Sequence, residues 1–270
     1  MTALRRWEAE LPRWGIPEAI IAAAPESPWG FPVELFRTRN GSDDIGPSTI
    51  RAREALPARG TVLDVGVGGG AASLPLADVA SLLVGVDESQ GMLDEFRSAA
   101  RRRRIATQEV RGTWPEVAPL APIADVVVCH HVFYNVANLG PFARALDEHA
   151  RRRVVVELTD RHPWSWMNDL WMRFHELERP DGPTAQDAEA GLRELGFDVR
   201  RDDHMPTPRG SGFERREDAV ALIRRRLCLW PDRDEEVAEA IGDRLVEREG
   251  LWSAGPAGQG IVTLWWDPRR

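Results

Sequence analysis

Val62-Leu63-Asp64-Val65-Gly66-Val67-Gly68-Gly69-Gly70 is the stretch whose reading decides the fold. Its first four residues, apolar except for one carboxylate, read as a short strand covered on both faces, as in a parallel sheet. The glycines that follow free the backbone for a tight turn in which no Cβ holds a ligand at a distance. A helix is expected next, over about Ala71 to Ala80, with Pro75 tolerated near its start because the first N–H groups of a helix lack intrahelical partners. Those N–H groups would face the turn and suit an anionic or hydroxyl-rich ligand, so a nucleotide-like cofactor is the first inference.

Outward from this turn, strands and helices alternate as in a doubly wound α/β sheet. A helix is expected over Ser48 to Leu56. Strands are expected at Leu82 to Val86, Thr107 to Val110, Asp125 to Cys129 and Val154 to Leu158, with helices over Gln90 to Arg104 and Leu139 to Ala150. A helix capped by Thr184, with Asp187 three residues on, leads to a sixth strand at Phe197 to Arg201. The last strand is Ile261 to Trp266. Residues 1–46 read as a helical N-terminal lid in which Trp7, Leu11 and Trp14 recur at helical spacing, as core packing does. Residues 47–270 form the main domain, with inserts at 163–183 and 205–260. The second insert is expected to hold two charged helices, Glu214 to Leu229 and Asp232 to Glu249.

A chain of 270 residues buries a core without disulfides. Its two cysteines, Cys129 and Cys228, point to a reducing compartment and argue against structural zinc. The net charge of −8 gives no support to nucleic acid or an acidic membrane surface as partner. All 35 basic residues are Arg, which removes Schiff-base and P-loop lysine chemistry. The runs Arg101 to Arg104, Arg151 to Arg153 and Arg224 to Arg226 read as solvated faces. With no signal-like N-terminus and no long apolar window, a cytoplasmic protein with no membrane span is expected.

The glycine turn satisfies two patterns. Gly66, Gly68 and Ala71, with Asp87 about 20 residues on, fit a dinucleotide fingerprint. Asp64-x-Gly66-x-Gly68-x-Gly70 also fits the first motif of the class I S-adenosylmethionine-dependent methyltransferases. The carboxylate of Asp64 at the strand's edge suits a cofactor with an amino group. The run Ala124-Asp125-Val126-Val127-Val128-Cys129-His130-His131-Val132-Phe133-Tyr134-Asn135-Val136 closely resembles that family's fourth strand and the loop after it. The terminal strand suits the family's seventh. The resemblance covers about residues 47 to 204 and 261 to 266, and implies a seven-stranded, mostly parallel sheet whose last strand runs antiparallel between the fifth and sixth.

The resemblance further implies S-adenosylmethionine as cofactor. Gly66, Gly68 and Gly70 would wrap its methionine and ribose parts, Asp64 would hold the amino group, and Asp87 would accept both ribose hydroxyls. Gln90 or Met92 would flank the adenine. Thr113 stands where many members carry an acid, with Trp114 beside it to stack on the ring. Glu88, Cys129 and His130 complete the implied cofactor set.

Methyl transfer from a sulfonium is an in-line displacement, so the protein's task is to align the reactants and exclude water. A base is needed only where the acceptor must lose a proton. The fourth strand supplies His130, His131, Tyr134 and Asn135; the fifth supplies Glu157, Asp160 and His162. His131 is the preferred base, since imidazole titrates near neutrality. His130 and Tyr134 are further catalytic candidates, each with hydrogen bonding or packing as the plainer role. No metal site is expected. Trp164, Trp171 and Phe174 fall on one helical face and read either as a substrate wall or as the packing that docks the insert. The expected acceptor is a small molecule with a nucleophilic O or N atom, and a homodimer is allowed. Three other readings stand beside it: an RNA or protein methyltransferase, a cofactor-binding module without catalysis and, ranked last, an NAD-dependent oxidoreductase.

Overall fold

Each central strand sends alternate residues to opposite faces, and both faces are covered. A computed structural model describes residues 1–29, 45–205, 212–256 and 258–269. The strands are β1 (Gly60–Val65), β2 (Ala80–Asp87), β3 (Ala106–Arg111), β4 (Ala124–His130), β5 (Ala150–Thr159), β6 (Arg200–His204), β7 (Leu245–Arg248), β8 (Leu251–Ala254) and β9 (Ile261–Trp266). Seven form one sheet in the order β3-β2-β1-β4-β5-β9-β6, while β7 and β8 pair as a hairpin. The first five strands are parallel, and β9 runs antiparallel to both β5 and β6. This is the doubly wound, seven-stranded sheet with an antiparallel last strand that the sequence led us to expect. The strand order reverses between β1 and β4, and in such sheets ligands gather at that point, beyond the strands' C-terminal ends.

The helices are α1 (Ala3–Glu10), α2 (Glu18–Ala23), α3 (Pro47–Ala55), α4 (Gln90–Arg102), α5 (Leu139–His149), α6 (Asn168–His175), α7 (Ala185–Glu194), α8 (Arg216–Arg226) and α9 (Asp234–Ile241). One core unites Leu63, Val65, Val127, Cys129, Val154 and Val156 with side chains of α1, α5 and α7. The opposite core unites Val62, Val126, Val128 and Val155 with α3 and α4. On α4, Leu93, Phe96 and Ala100 recur at helical spacing and are buried. Burial of Phe96 alone is worth roughly 2–3 kcal/mol. Thr184 and Asp187 form the expected capping box at the start of α7.

The first helix after the glycine turn does not form. Residues 71–80 make a chain of turns with one short 3-10 segment at Leu74–Leu76. A single i→i−4 bond, from the Leu74 N–H to the Gly70 carbonyl, is followed by i→i−3 bonds from Leu76, Ala77 and Val79. Pro75 removes the next N–H, and β2 already begins at Ala80, so no helix has room to propagate. No helix N-terminus therefore stands behind the turn. β6 lies three residues later than expected, because Arg200–His204 is the run that pairs with β9. The last expected helix stops at Ile241; its remainder holds β7, which pairs with β8 just beyond it across a turn at Glu249 and Gly250, both at positive φ as a tight hairpin turn requires.

The N-terminal residues are docked. Glu194 of α7 accepts from the N–H groups of Ala3 at 2.6 Å and Leu4 at 3.1 Å. The Trp7 indole donates to the Val136 carbonyl at 2.8 Å, and that of Trp14 to Gly182 at 2.7 Å. Part of the expected lid, residues 30–44, lies outside the described residues, as do 206–211 and 257 of the second insert. A third core joins Ile16 to Met167, Leu170 and Trp171 of the first insert and to Val220, Ile223, Val237 and Ile241 of the second. Among the described residues no helix is long and apolar enough to cross a membrane.

Candidate functional site

The glycine turn closes onto the end of β2: the Gly66 and Val67 N–H groups both donate to the Val86 carbonyl, at 2.9 and 3.0 Å. Gly66, Gly68 and Gly70 have φ of 76°, 49° and 88°. A Cβ on Gly66 would lie 2.3 Å from Val132, and one on Gly70 2.8 Å from Phe96, so these two are needed for close packing. A Cβ on Gly68 would meet nothing within 4 Å, so Gly68 borders open space.

Asp64, at the end of β1, is buried. One carboxylate oxygen accepts from the Ser73 hydroxyl at 2.6 Å, and the other is buried without a partner among the described residues. Burial pushes this carboxyl up to about 7, opposed by the Ser73 bonds and assisted by the charge of Asp87. An unsatisfied buried carboxylate oxygen is a costly feature unless a donor arrives. Asp87 accepts one backbone N–H on each oxygen, from Gly68 at 3.0 Å and Ser89 at 2.9 Å. A carboxylate has about four acceptor sites, so capacity for two hydroxyls is left. An orphaned acid, a diol-sized acceptor and an open glycine together fit an amino acid joined to a ribose.

The other expected cofactor residues divide. Glu88 and Thr113 are exposed and Met92 is partly buried near the start of α4. Trp114 is core: its indole donates to the Phe142 carbonyl at 3.3 Å and meets His149 edge-on. Its face is not on offer to an adenine ring in this arrangement. Cys129 is wholly buried in the core, its thiol pushed up by burial, so contact with a cofactor is left to its backbone.

Across the switch point, His130 of β4, Glu157 of β5 and Thr263 of β9 lie side by side in register. The Ser48 hydroxyl, from the first turn of α3, donates to one Glu157 oxygen. His131 Nε2 lies 3.2 Å from the other oxygen, and His130 Nδ1 lies 3.8 Å from it. His131 is in the left-handed region, at φ 58°, and its N–H donates to the Glu157 carbonyl at 2.7 Å. A non-glycine residue there is strained and often marks a working site. Its side chain remains 46% exposed, whereas that of Glu157 is only 16% exposed. Burial pushes the Glu157 carboxyl up, but the two imidazoles and the Ser48 hydroxyl outweigh it and hold it well below the usual range. Burial, opposed by the charge of Glu157, lowers His130, and its Nε2 is buried without a partner among the described residues.

Tyr134 is committed elsewhere. Its hydroxyl accepts from the Thr159 N–H and lies 2.6 Å from Thr159 Oγ1, which itself donates to the Arg161 carbonyl. The Tyr134 proton therefore goes to Thr159, and burial raises the phenol well above its ordinary value. His162 stacks on Trp14 with ring centres 3.9 Å apart, and burial, followed by the charges of Arg226 and Arg179, pushes it down to about 3. Trp171 is buried in the third core, with Trp164 and Phe174 packed against it, so the tryptophan stripe serves at least to dock the inserts. Arg224 and Arg226 are buried, which corrects their reading as a solvated face. Among the described residues no group of three or more His, Cys, Asp or Glu is placed to hold a metal ion.

Sequence reasoning gave Ser48, Ser73 and Thr263 no part in the site. Ser48 and Thr263 lie about a hundred residues from Glu157, the acid they serve or face, whereas Ser73 lies nine residues from Asp64 but is a lone hydroxyl without a motif of its own.

Comparison with known proteins agrees with this architecture. Residues 63–153 match the family model described as the methyltransferase domain. A ubiquinone biosynthesis O-methyltransferase of Azorhizobium caulinodans is 36% identical over 98 residues, which span 36% of this chain and 39% of that protein. The chain thus spans about two fifths of the curated relative it matches. The YcgJ protein of Bacillus subtilis superposes with a TM-score of 0.54 at 14% identity, covering 83% of this chain and 98% of its own. A provisionally named methyltransferase from Bacillus halodurans C-125 also gives 0.54 at 14% identity, covering 85% and 100%. Both share the fold.

Proposed function

We propose that this chain, whose residues 63–153 match the methyltransferase domain model, moves a methyl group from S-adenosylmethionine to a hydroxyl of a small acceptor. The observation that carries this reading is the chain Ser48–Glu157–His131, which leads from a buried carboxylate to an exposed imidazole at the sheet's switch point. Asp64 would hold the cofactor's amino group, Asp87 its ribose hydroxyls, and the backbone around Gly68 would border it. When bound, the cofactor supplies a methyl group on a positively charged sulfur, which departs as a neutral thioether.

His131 serves as general base. With Nε2 directed to Glu157, Nδ1 is the nitrogen that takes the acceptor's hydroxyl proton, leaving the oxygen lone pair to form the new C–O bond. Glu157 fixes the imidazole's orientation and stabilises the imidazolium that results, as a buried carboxylate does beside a working histidine. Ser48 keeps Glu157 from rotating away. An oxygen acceptor gains support from the O-methyltransferase relative, and the need for a base is greatest for oxygen, since a neutral amine attacks without one.

The test is transfer of radiolabelled methyl from S-adenosylmethionine to a panel of small phenols, catechols and amines. Labelling of phenolic or catecholic oxygen that falls sharply in Glu157→Gln is the expected result. Labelling confined to amines, or undiminished in that variant, overturns the oxygen-and-base reading.

A further inference from the structure

Asp64 is 1% exposed, and what the described residues offer its carboxyl is a hydroxyl rather than a cation. Ser73 donates to Oδ2 at 2.6 Å, while Oδ1 is buried with no donor among them. The groups around it are neutral or negative. The segment after the glycine turn brings Ser73, and the end of β2 brings Asp87, whose charge acts on Asp64. From β4 come Val128, in register with it, and the Cys129 thiol, which burial pushes up. Leu74 and Phe96 belong to the apolar core on the same face as Val128. The arginines of the two helices packed there meet other partners: Arg51 meets Asp202 and Glu54, and Arg53 meets Asp78 and the Pro75 carbonyl. Arg97 meets Asp94 and Glu109, and Arg103 donates to the Leu74 carbonyl.

An ionised carboxylate is strongly disfavoured in such a place, and a buried acid without a counter-charge takes up a proton instead. Burial pushes Asp64 up to about 7, with Ser73 opposing and the charge of Asp87 assisting. The two protonation states suit different neighbours. A protonated carboxyl has an O–H to donate, whereas the ionised form only accepts and carries the charge that an ammonium seeks. Asp64 and Asp87 flank one turn, whose Gly68 N–H donates to Asp87 at 3.0 Å, and Gly68 borders open space. A ligand with its ribose on Asp87 and its ammonium over this turn places a positive charge beside Asp64. That charge acts on the acid whether it touches Oδ1 or stands a few ångströms from it.

We propose that Asp64 carries a proton in the cofactor-free protein and yields it to solvent when the cofactor's ammonium arrives, so that binding the amino acid end is coupled to proton release. This rests on the methyltransferase reading. The ammonium keeps its own protons, and the one released is the carboxyl's. Binding lowers the acid's affinity for its proton, so the cofactor binds more tightly as pH rises and levels off above pH 7, where Asp64 is already ionised. A ligand that fills the ribose and adenine sites but lacks the amino acid releases no proton from Asp64.

The experiment is titration calorimetry of S-adenosylhomocysteine at one pH in buffers of different ionisation enthalpy, where the slope of apparent against buffer enthalpy counts the protons exchanged. Release of about half a proton per molecule is expected at pH 7. Affinity is expected to be about tenfold weaker at pH 6 than at pH 8. 5′-Methylthioadenosine, which lacks the amino acid, is expected to release none. Asp64→Asn, a mimic of the protonated carboxyl, is expected to bind S-adenosylhomocysteine more weakly, with no proton release. Binding of S-adenosylhomocysteine without proton release at pH 7, equal release by methylthioadenosine, or release that survives in folded Asp64→Asn overturns the proposal. Should the asparagine variant fail to fold, the buffer series on the unaltered protein still decides. Failure of S-adenosylhomocysteine to bind at any pH would instead strike the methyltransferase reading itself.

Discussion

The two sides of the switch point are assembled in opposite ways. On the cofactor side, Asp64, Gly66, Gly68, Ser73 and Asp87 come from one strand, its turn and the next strand. On the proposed acceptor side, Ser48, His131 and Glu157 arrive from α3, the loop after β4 and β5. The first side is made by local backbone geometry, so its pattern is written in consecutive residues. The second is made by long-range packing, which leaves each contributor looking ordinary in its own neighbourhood. A fold shared by many enzymes keeps the first kind of site and varies the second.

The sharpest way to break this contrast is to alter the base. His131→Asn should lower the rate of methyl transfer by about 100- to 1,000-fold, the usual weight of general base catalysis. Affinity for S-adenosylhomocysteine should hardly change, as calorimetry on the same preparation would show. A parallel loss of affinity would mean that the two sides are not separate. Next in size, Asp87→Ala should weaken S-adenosylhomocysteine by roughly 3 kcal/mol, about 100-fold, since two charge-assisted contacts go. An affinity within threefold of the unaltered protein would remove Asp87 from the ribose site.

Within the turn, the glycines should separate into structural and ligand-facing. Gly66→Ala places a Cβ against Val132 and should cost about 2–3 kcal/mol in denaturant unfolding, by overpacking and positive-φ strain together. Gly68→Ala should cost only about 1 kcal/mol of stability, the strain alone, yet weaken the cofactor. Equal stability losses would contradict the open space beside Gly68.

His162 supplies a smaller, pH-dependent effect. Its folded value of about 3 lies below the ordinary 6.5, so the unfolded chain binds the proton more readily. Stability from this group is full above pH 6.5 and is lost as pH falls from there toward 3. The slope is up to about 1.4 kcal/mol per pH unit. His162→Phe, which keeps a ring on Trp14, should flatten that part of the stability profile, and an unchanged slope would show that other groups set it.

Much of the sheet was legible because buried strands in an alternating α/β chain are short apolar runs between breakers. The capping pair Thr184 and Asp187 was legible because its partners lie close in sequence. Other parts were not. The segment from Ala71 to Ala80 has helical composition, but Pro75 and the nearness of β2 decide against a helix. Strand β7 hides in what reads as a charged helix, although Glu249-Gly250 between short alternating runs was a usable signal of the hairpin it makes with β8. Trp114 looked like an adenine platform, and tertiary packing took it into the core instead. Ser48 is joined to Glu157 across 109 residues. That link does not exist in the sequence taken alone.

The central claim is that the turn from Asp64 to Gly70, with Asp87, holds S-adenosylmethionine. Calorimetric titration of S-adenosylhomocysteine into the unaltered protein and Asp87→Ala tests it most directly. Saturable binding, one molecule per chain, that is lost or greatly weakened in the variant is the predicted result. No heat and no thermal stabilisation of the unaltered protein by either S-adenosylhomocysteine or S-adenosylmethionine would contradict it.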